Sequence, residues 1–259
     1  RGEGFRSISI DLIYGLPFQS EEGFATTLDR IIDFGPDRLS MFNYAHLPQM
    51  FPPQRRINET ELPQPQEKLD ILQMSIDKLT AAGYVFIGMD HFARPDDELA
   101  VAQREGTLYR NFQGYSTHAD CDLLGLGVTS IAKVANTYSQ NVKTLEPYYE
   151  RIDAGRLPML RGIELDRDDE IRRDVITRLI CNFQLEYAPV EQRWDVEFRD
   201  YFATALPQLS VMHQDGLLRV DDRGIEVYPK GRLLIRNICM AFDRYMAEKQ
   251  AQKRFSKVI

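Results

Sequence analysis

The sequence has 259 residues, of which 43% are hydrophobic, and this is enough apolar material for one large core or two smaller ones. Its 32 basic and 39 acidic residues leave a formal net charge of −7, which argues against broad binding to nucleic acid or to an acidic membrane surface. No stretch reaches the roughly 18 apolar residues of a spanning helix and no leader opens the chain, so we expect a cytoplasmic protein without membrane or nucleic-acid partners.

The cysteines are too far apart in sequence to predict a metal site. Cys121, Cys181 and Cys239 are separated by roughly sixty positions, whereas zinc and iron–sulfur sites use closely spaced ligands. We expect reduced thiols and no metal ligands in this chain. The sequence opens with Arg1 rather than Met, and we therefore expect a piece of a longer protein.

The first elements in chain order predict a β-α-β unit. Residues 7–14 are a nearly continuous apolar run, which is typical of a strand in a parallel sheet covered on both faces. A helix is predicted over 21–34, ending at Gly35 and Pro36, and a second strand over 38–44. This order indicates a parallel right-handed crossover. Because a pair of parallel strands cannot bury itself, we expect the end of a barrel whose earlier strands lie outside the sequence.

Asp11 stands late in the first predicted strand among apolar neighbours. An ionised carboxylate in such a place is costly unless it is paired or accepts hydrogen bonds. The vicinal hydroxyls of a nucleoside ribose would be suitable donors, and a salt bridge to a nearby Arg or Lys is the alternative. Spacing alone favours neither.

The stretch over 88–117 concentrates polar and charged side chains after a short predicted strand at 84–87 and a helix at 66–82. Asp90, His91 and Arg94 are predicted to leave the strand end, where α/β proteins commonly place their sites. Residues 96–105 are predicted as a helix with acids in its first turn. The segment over 110–115 interleaves aromatics with amides and an Arg without a regular period, which predicts a loop laid over a flat ligand.

The glycines of the segment LLGLGVTS, Gly125 and Gly127, have two interpretations. A G-x-G without a third glycine or a downstream acid is a weak signal for dinucleotide binding. A close backbone approach to a ligand is the functional interpretation, and a packing turn is the alternative. His46 and His118 are single histidines for which ordinary hydrogen-bonded roles are predicted.

From about residue 166 the strand–helix alternation ends, and we divide the chain into domains 1–165 and 166–259. Helices are predicted over 147–155, 168–185 and 195–206, with a linker over 156–165 and a last helix from Pro229. A hairpin is predicted over 217–228, and helices followed by a hairpin indicate a winged-helix-like C-terminal domain. Its turn, Asp221-Asp222-Arg223, would repel phosphates, so we predict a packing role. The terminal run KQAQKRFSK predicts a solvated helix end.

Several segments together resemble the oxygen-independent coproporphyrinogen III oxidases, radical S-adenosylmethionine enzymes of haem synthesis. The resemblance covers essentially the whole chain and is carried by residues 88–117 and by DLIYGLPFQ at 11–19, FNYAHLP at 42–48, DLLGLG at 122–127 and RLLIRNICM at 232–240. It implies an α/β fold made of the C-terminal units of a partial (β/α)6 radical-SAM barrel, followed by a mainly helical, winged-helix-like domain.

The resemblance also implies a reaction. A 4Fe-4S cluster reduces S-adenosylmethionine, and the resulting 5′-deoxyadenosyl radical takes a hydrogen from a propionate of coproporphyrinogen III before carbon dioxide and an electron leave. Two propionates become vinyl groups, which gives protoporphyrinogen IX, and an external electron acceptor is required. By residue-by-residue transfer, Asp11, Ile13, Ala45 and Ile131 are candidate contacts to S-adenosylmethionine, while catalytic residues stay unassigned.

For the substrate we predict contacts from chemistry. Arg94 and Arg110 could pair with carboxylates, Tyr115 and Phe112 could lie against the tetrapyrrole, and the amides of Asn111 and Gln113 stand beside them. A haem-binding chaperone on the same scaffold is the alternative function. The family's cysteine motif for the cluster is absent, so we expect this chain alone to be inactive and to require the missing N-terminal part of the barrel, with the longer protein acting as a monomer.

Overall fold

The computed structural model describes residues 2–119 and 121–246. The strands are β1 Ser9–Tyr14, β2 Arg38–Asn43, β3 Val85–Gly88, β4 His91–Ala93, β5 Tyr109–Asn111, β6 Gly114–Ser116, β7 Ile131–Val134, β8 Thr137–Asn141, β9 Met159–Glu164, β10 Gln184–Glu186, β11 Leu218–Val220 and β12 Gly224–Val227. The helices are α1 Glu21–Phe34, α2 Pro65–Ala81, α3 Glu98–Glu105, α4 Leu145–Asp153, α5 Arg167–Asn182, α6 Tyr187–Trp194, α7 Phe198–Tyr201, α8 Leu206–Gln214, α9 Pro229–Arg232 and α10 Ile235–Met240.

The predicted β-α-β unit is confirmed. β1 and β2 are parallel, and they are joined by α1, whose bounds are those predicted. Ser20 caps the start of α1 by accepting a hydrogen bond from the backbone of Gly23, and Gly35 ends it in the left-handed conformation. Because these signals and the apolar spacing are local, this unit could be predicted from the sequence.

The rest of this sheet differs from the prediction. Its strand order is β1-β2-β4-β3, so β1 is an edge strand, and β4 runs antiparallel to both of its neighbours. Asp90 therefore lies in a tight turn between β3 and β4 and His91 begins the returning strand. The loop predicted to leave the end of this strand is therefore absent here, because the two residues between β3 and β4 turn the chain back into the sheet.

The apolar residues form two cores. The smaller one lies between this sheet and α1 and α2, and the larger one surrounds α5. Phe86 packs against both cores, and its ring stacks on Phe183 with 6.4 Å between the ring centres. The larger core draws residues from both sides of position 165, such as Ile87 and Ile171, and the predicted domain boundary stays a prediction.

The segment predicted as a ligand-covering loop is a β-hairpin. β5 and β6 pair antiparallel, with Arg110 opposite Tyr115 and Asn111 opposite Gly114. Gly114 has a backbone φ of 133°, which a residue with a side chain rarely adopts, and this conformation closes the turn. The hairpin is too short to show a recognisable period in the sequence.

A three-stranded sheet in the order β7-β8-β9 was not predicted, and its strand β9 replaces the linker predicted over 156–165. All six residues of β9 are exposed, including Leu160 and Ile163. Since neither face of β9 is covered by the described residues, its sequence carries no alternation from which a strand could be predicted.

The C-terminal part is helical with a small sheet, as expected in outline. Asp166 and Asp169 form a reciprocal capping box at the start of α5. The helix predicted over 195–206 is wrong: Asp195 ends α6 in the left-handed conformation, and the short α7 and then α8 follow. The hairpin β11–β12 is confirmed and is joined by β10. The last predicted helix is divided into α9 and α10.

The basic C-terminal run lies outside the described residues, and the winged-helix description of this part stays a prediction. No helix within residues 2–119 and 121–246 combines the length and the apolar character that crossing a membrane requires.

Candidate functional site

A cavity of about 600 Å³ opens at the carboxyl ends of β1 and β2. This is the edge at which open parallel sheets commonly bind ligands. Three parts of the chain close its sides: the residues that follow β2, the start of α2 and the start of α10. Its lining includes Tyr14, Phe42, Asn43, Ala45, His46, Lys68, Asp90, Leu233 and Arg236.

Lys68 reaches the cavity from the first turn of α2. The Pro65 start and the reciprocal hydrogen bonds of Gln64 and Glu67 fix where this helix begins. The Lys68 ammonium lies 3.4 Å from the carbonyl oxygen of Tyr44, which is its one hydrogen bond to a described residue. Partial burial lowers the pKa of Lys68 because it removes water from the ammonium group.

Asp90 brings a carboxylate to the opposite wall. Its Oδ1 lies 2.7 Å from Nδ1 of His91, and the His91 ring contacts the edge of Tyr115 at 5.3 Å between ring centres. Burial raises the pKa of Tyr14 to about 12, with Asp90 raising it further and Arg236 lowering it. Both charges therefore lie close enough to Tyr14 to act on its hydroxyl group.

Arg236 comes from α10 and lines the cavity from the C-terminal part of the chain. Its side chain is exposed, and no carboxylate of the described residues lies within ion-pair distance of it. Leu233 and Ile235 flank it and supply apolar wall. A packing role was predicted for the C-terminal part, and through Arg236 it also supplies a polar group to the candidate site.

Of the residues predicted to contact S-adenosylmethionine, Ala45 lines the cavity. Asp11 and Ile13 are exposed on the face of the sheet that carries Phe42, because Ile13 pairs with Phe42 in the parallel register. Phe42 itself reaches the cavity, so this face leads into it. The expected burial of Asp11 is wrong, since the described residues leave this face of β1 uncovered, and no described cation pairs with Asp11.

Ile131 is not brought to the cavity. It begins β7 in the separate three-stranded sheet, where it pairs with Gln140. The neighbouring glycines form a packing turn: a side chain at Gly125 would approach the backbone of Ile131 within 2.9 Å, and Asn141 donates to the carbonyl oxygens of Gly125 and Gly127. The glycine motif thus packs against neighbouring backbone of the same chain, which agrees with the packing-turn interpretation.

The predicted substrate residues divide between distant places. Arg94 lies at the other end of the sheet, where its Nε is 3.4 Å from the carbonyl oxygen of Pro36 and its guanidinium lies over Tyr84. Tyr115 is 9% exposed and donates to the carbonyl oxygen of Ile180, so its ring belongs to the core and does not present a face to a ligand.

Asn111 and Phe112 of the hairpin lie closer to solvent than Tyr115, whereas Arg110 is partly buried. Asn111 accepts a hydrogen bond from the backbone of Gln113 within the turn, and Phe112 is exposed with its edge against Tyr138. Arg110 lies 5.6 Å from the centre of the Tyr115 ring, and its Nε is buried without a hydrogen-bond partner among the described residues.

The described residues do not offer ligands for an iron–sulfur cluster. Cys121 is exposed, while Cys181 and Cys239 are buried, and burial raises the pKa of each of these two thiols to about 12. No group of three or more His, Cys, Asp or Glu side chains in the described part of the chain is placed to hold a metal ion. The cluster therefore does not fit here.

A second cavity, of about 540 Å³, lies along the C-terminal sheet. Arg219, one of the two arginines that line it, contacts Asp221 at 2.9 Å and Glu226 at 3.0 Å. The charge of Arg219 is thus already paired with acids, in contrast to the charges of Lys68 and Arg236.

Sequence reasoning missed Lys68 and Arg236. Lys68 is one of several charged residues on an amphipathic helix, and Arg236 stands in a segment that reads as packing. The one signal for Arg236 was its position within a motif of the resemblance.

Comparison with known proteins identifies the family to which the chain is similar. Residues 165–234 match the family model described as the HemN C-terminal domain. The oxygen-independent coproporphyrinogen III oxidase of Escherichia coli (strain K12) is 60% identical over 99% of this chain, which spans 56% of that relative. The relative of the same name from Thermostichus vulcanus is 45% identical over the whole chain, which covers 80% of it.

A solved structure gives the same answer. The Escherichia coli structure titled as a coproporphyrinogen III oxidase (HemN) that is a radical SAM enzyme superposes with a TM-score of 0.92 at 61% identity, over 94% of this chain and 56% of that one. The resemblance predicted from the sequence motifs is therefore confirmed. The chain belongs to the family of the oxygen-independent coproporphyrinogen III oxidases.

Proposed function

We propose that this chain supplies the cavity end of an enzyme that oxidatively decarboxylates two propionates of coproporphyrinogen III to vinyl groups without oxygen, giving protoporphyrinogen IX for haem synthesis. The observation that carries the proposal is the cavity at the carboxyl ends of β1 and β2, which has both an apolar wall and unpaired cations. A tetrapyrrole with carboxylate side chains has the matching chemistry.

The proposed fold of the working enzyme extends the sheet beyond β1. We propose that β1, α1 and β2 are units of a partial (β/α)6 radical-SAM barrel. Two observations support this: β1 has a neighbouring strand on one side only, and its face with Asp11 and Ile13 is uncovered in the described residues. The chain spans 56% of the Escherichia coli relative, so the remaining strands would come from outside it.

S-adenosylmethionine fits the uncovered face and the adjoining cavity. Asp11 offers a carboxylate to ribose hydroxyls, and Ile13, Phe42 and Ala45 offer apolar and backbone contacts. Bound there, S-adenosylmethionine would supply the hydrogen-abstraction chemistry of the proposed reaction. The part of these residues is to hold the nucleoside, exclude water and fix its orientation towards the substrate.

The β5–β6 hairpin is proposed to face the substrate through Arg110, Asn111 and Gln113, with Tyr115 supporting it from the core. The buried, unpartnered Nε of Arg110 supports a role beyond packing, because such a group is costly without a partner. Arg94 has no part in this proposal, since it lies at the other end of the sheet.

The cluster is proposed to bind outside this chain, which alone should be inactive. After anaerobic reconstitution with iron and sulfide, we expect the purified chain to hold no iron above background. About four irons per chain with the matching absorbance would contradict this.

The experiment that tests the function is a chimera in which this chain replaces the matching part of the Escherichia coli relative. We expect anaerobic formation of protoporphyrinogen IX that depends on S-adenosylmethionine. The Asp11→Asn variant should bind S-adenosylmethionine about tenfold or more weakly, because a charge-assisted hydrogen bond is lost. The Asp33→Asn variant, which changes an exposed acid of α1, is the matched control.

Two results would contradict the proposal. A soluble chimera with an intact cluster and no turnover would remove the activity. Tight binding of haem with a Soret shift, together with that lack of turnover, would favour the haem-binding chaperone.

A further inference from the structure

Two cations line the cavity without an acidic partner. The Lys68 ammonium contacts only a backbone carbonyl oxygen, at 3.4 Å, and the Arg236 guanidinium has no ion pair or hydrogen bond with the described residues. Both come from helices that begin at the edge of the cavity, α2 and the distant α10. The cavity therefore collects positive charge from opposite parts of the sequence.

The acids near the cavity contact histidines and form no ion pair with these cations. Asp90 is hydrogen-bonded to His91 at 2.7 Å, and Glu59 lies 3.3 Å from His46. No other carboxylate lines the cavity among the described residues. Lys68 is partly withdrawn from water without a counter-ion, which is costly, and a bound anion would remove that cost. Arg236 is exposed and would add its charge to the binding of that anion.

Two other arginines of the described chain do pair with carboxylates. Arg38 contacts Asp97 at 2.9 Å, and Arg244 contacts Asp166, Asp168 and Asp169 at 2.9–3.2 Å. Lys68 and Arg236, in contrast, form no ion pair with the described residues. Unpaired charge that is confined to a concave, half-apolar site is the pattern of a ligand site.

We propose that Lys68 and Arg236 together bind a carboxylate of the ligand that enters the cavity. This inference rests on the proposed function and deepens it, because it names the groups that recognise the ligand. It also assigns the C-terminal part of the chain a binding role through α10. The guanidinium can hold a carboxylate through paired hydrogen bonds, and the ammonium adds a point charge.

The carboxylate could belong to a propionate of the tetrapyrrole or to the amino-acid end of S-adenosylmethionine. The test measures both with the purified full chain and, in parallel, with the chimera. The probes are coproporphyrin III, the air-stable oxidised form of the substrate, and S-adenosylmethionine. The capped partners are the amide of coproporphyrin III and decarboxylated S-adenosylmethionine, which lack the carboxylate.

We expect Lys68→Met and Arg236→Gln each to weaken binding of one carboxylate probe by about tenfold to a hundredfold. The capped form of that probe should bind weakly to the unchanged chain and should lose nothing further in the variants. Which probe responds identifies the source of the carboxylate. Lys68→Arg and Arg236→Lys should restore most of the affinity, because they keep the charge.

The matched control is Lys230→Met, which removes an exposed charge on α9 away from the cavity lining. Thermal melting of every variant checks that it is folded. If the unchanged protein binds both probes and neither charge-removing variant weakens either one beyond the Lys230→Met control, the inference is wrong while the proposed function stands. If neither the chain nor the chimera binds either probe, the proposed function and this inference both fall.

Discussion

The β5–β6 hairpin and the cavity at the ends of β1 and β2 differ in whether their polar side chains have partners within the chain. In the hairpin, Tyr115 is buried and donates to the backbone, and the Arg110 guanidinium lies over its ring. Lys68 and Arg236 line the cavity and form no ion pair with the described residues. Tyr115, which the sequence suggested as a ligand contact, is thus used in packing. Lys68 and Arg236, which the sequence did not suggest, are available to bind a ligand. We expect substitution of Tyr115 to change stability and substitution of Lys68 or Arg236 to change binding.

The largest effect is expected at Gly88, where β3 meets the hairpin. Its φ is 144°, and a Cβ there would lie 2.5 Å from the Tyr115 hydroxyl and 3.1 Å from the Phe183 ring. Gly88→Ala should therefore lower the free energy of unfolding by about 2–4 kcal/mol, measured by urea denaturation. Gly83→Ala is the control, because it has a φ of 89° with nothing within 4 Å, and it should cost less. Equal losses in both variants would contradict the close contact.

The charged network at the start of α5 is expected to come next. Burial would raise the pKa of Asp168, but hydrogen bonds from Arg172, Tyr201 and Arg244 outweigh it and lower that pKa to about 2. Because the pKa is lower in the folded state, the stabilisation is complete above the unfolded pKa of 3.8 and is lost as the pH falls from there towards 2.

Asp168→Asn should cost about 1–2 kcal/mol at pH 7, a figure reduced by the side chain's contact with water. The stability of this variant should also fall less steeply between pH 4 and pH 2, as followed by denaturant titration. An unchanged slope in that range would show that other carboxylates control acid unfolding.

Removing the hydroxyl of Tyr115 is expected to have a smaller effect. Tyr115→Phe loses the hydrogen bond of 3.0 Å to the carbonyl oxygen of Ile180 and leaves that buried oxygen without this donor. We expect the free energy of unfolding to fall by about 1 kcal/mol. Ligand binding should not change. The control is Tyr149→Phe, whose side chain is 56% exposed. Weakened binding with unchanged stability would return Tyr115 to the ligand site.

The smallest effect on stability is expected for Lys68→Met. Burial lowers the pKa of Lys68, so its charged form disfavours the folded state slightly, and the variant should be within about 0.5 kcal/mol of the unchanged protein or a little more stable. The difference should shrink at alkaline pH as the lysine of the folded state loses its proton. A clear loss of stability would assign Lys68 to packing and weaken the contrast between the two regions.

The sequence predicts those parts of the fold whose causes are local. The bounds of α1 follow from the cap at Ser20, the stop at Gly35 and the apolar spacing between them. The hairpin could not be predicted in this way, because Tyr115 is held by Ile180, which is far along the chain. The three-stranded sheet also gave no signal, since the exposed β9 has no buried face.

The candidate site follows the same division. Ala45 could be placed through a motif that follows a predictable strand, and it lines the cavity. The exposure of Asp11 depends on what covers β1, which its own neighbours in sequence do not determine. Lys68 and Arg236 line the same cavity although they belong to α2 and α10, and nothing in the sequence near either residue indicates this proximity.

The position of β1 at the rim of its sheet has a practical consequence for handling the purified protein. A strand with one unpaired side offers hydrogen-bonding groups to any extended peptide, including β1 of another molecule, and such pairing promotes aggregation. The exposed charge of Asp11 opposes that pairing, because two copies would bring like charges close together. Neutralising Asp11 should therefore also increase aggregation in concentrated solutions of the chain, whatever ligand this residue contacts. Light scattering would detect the change.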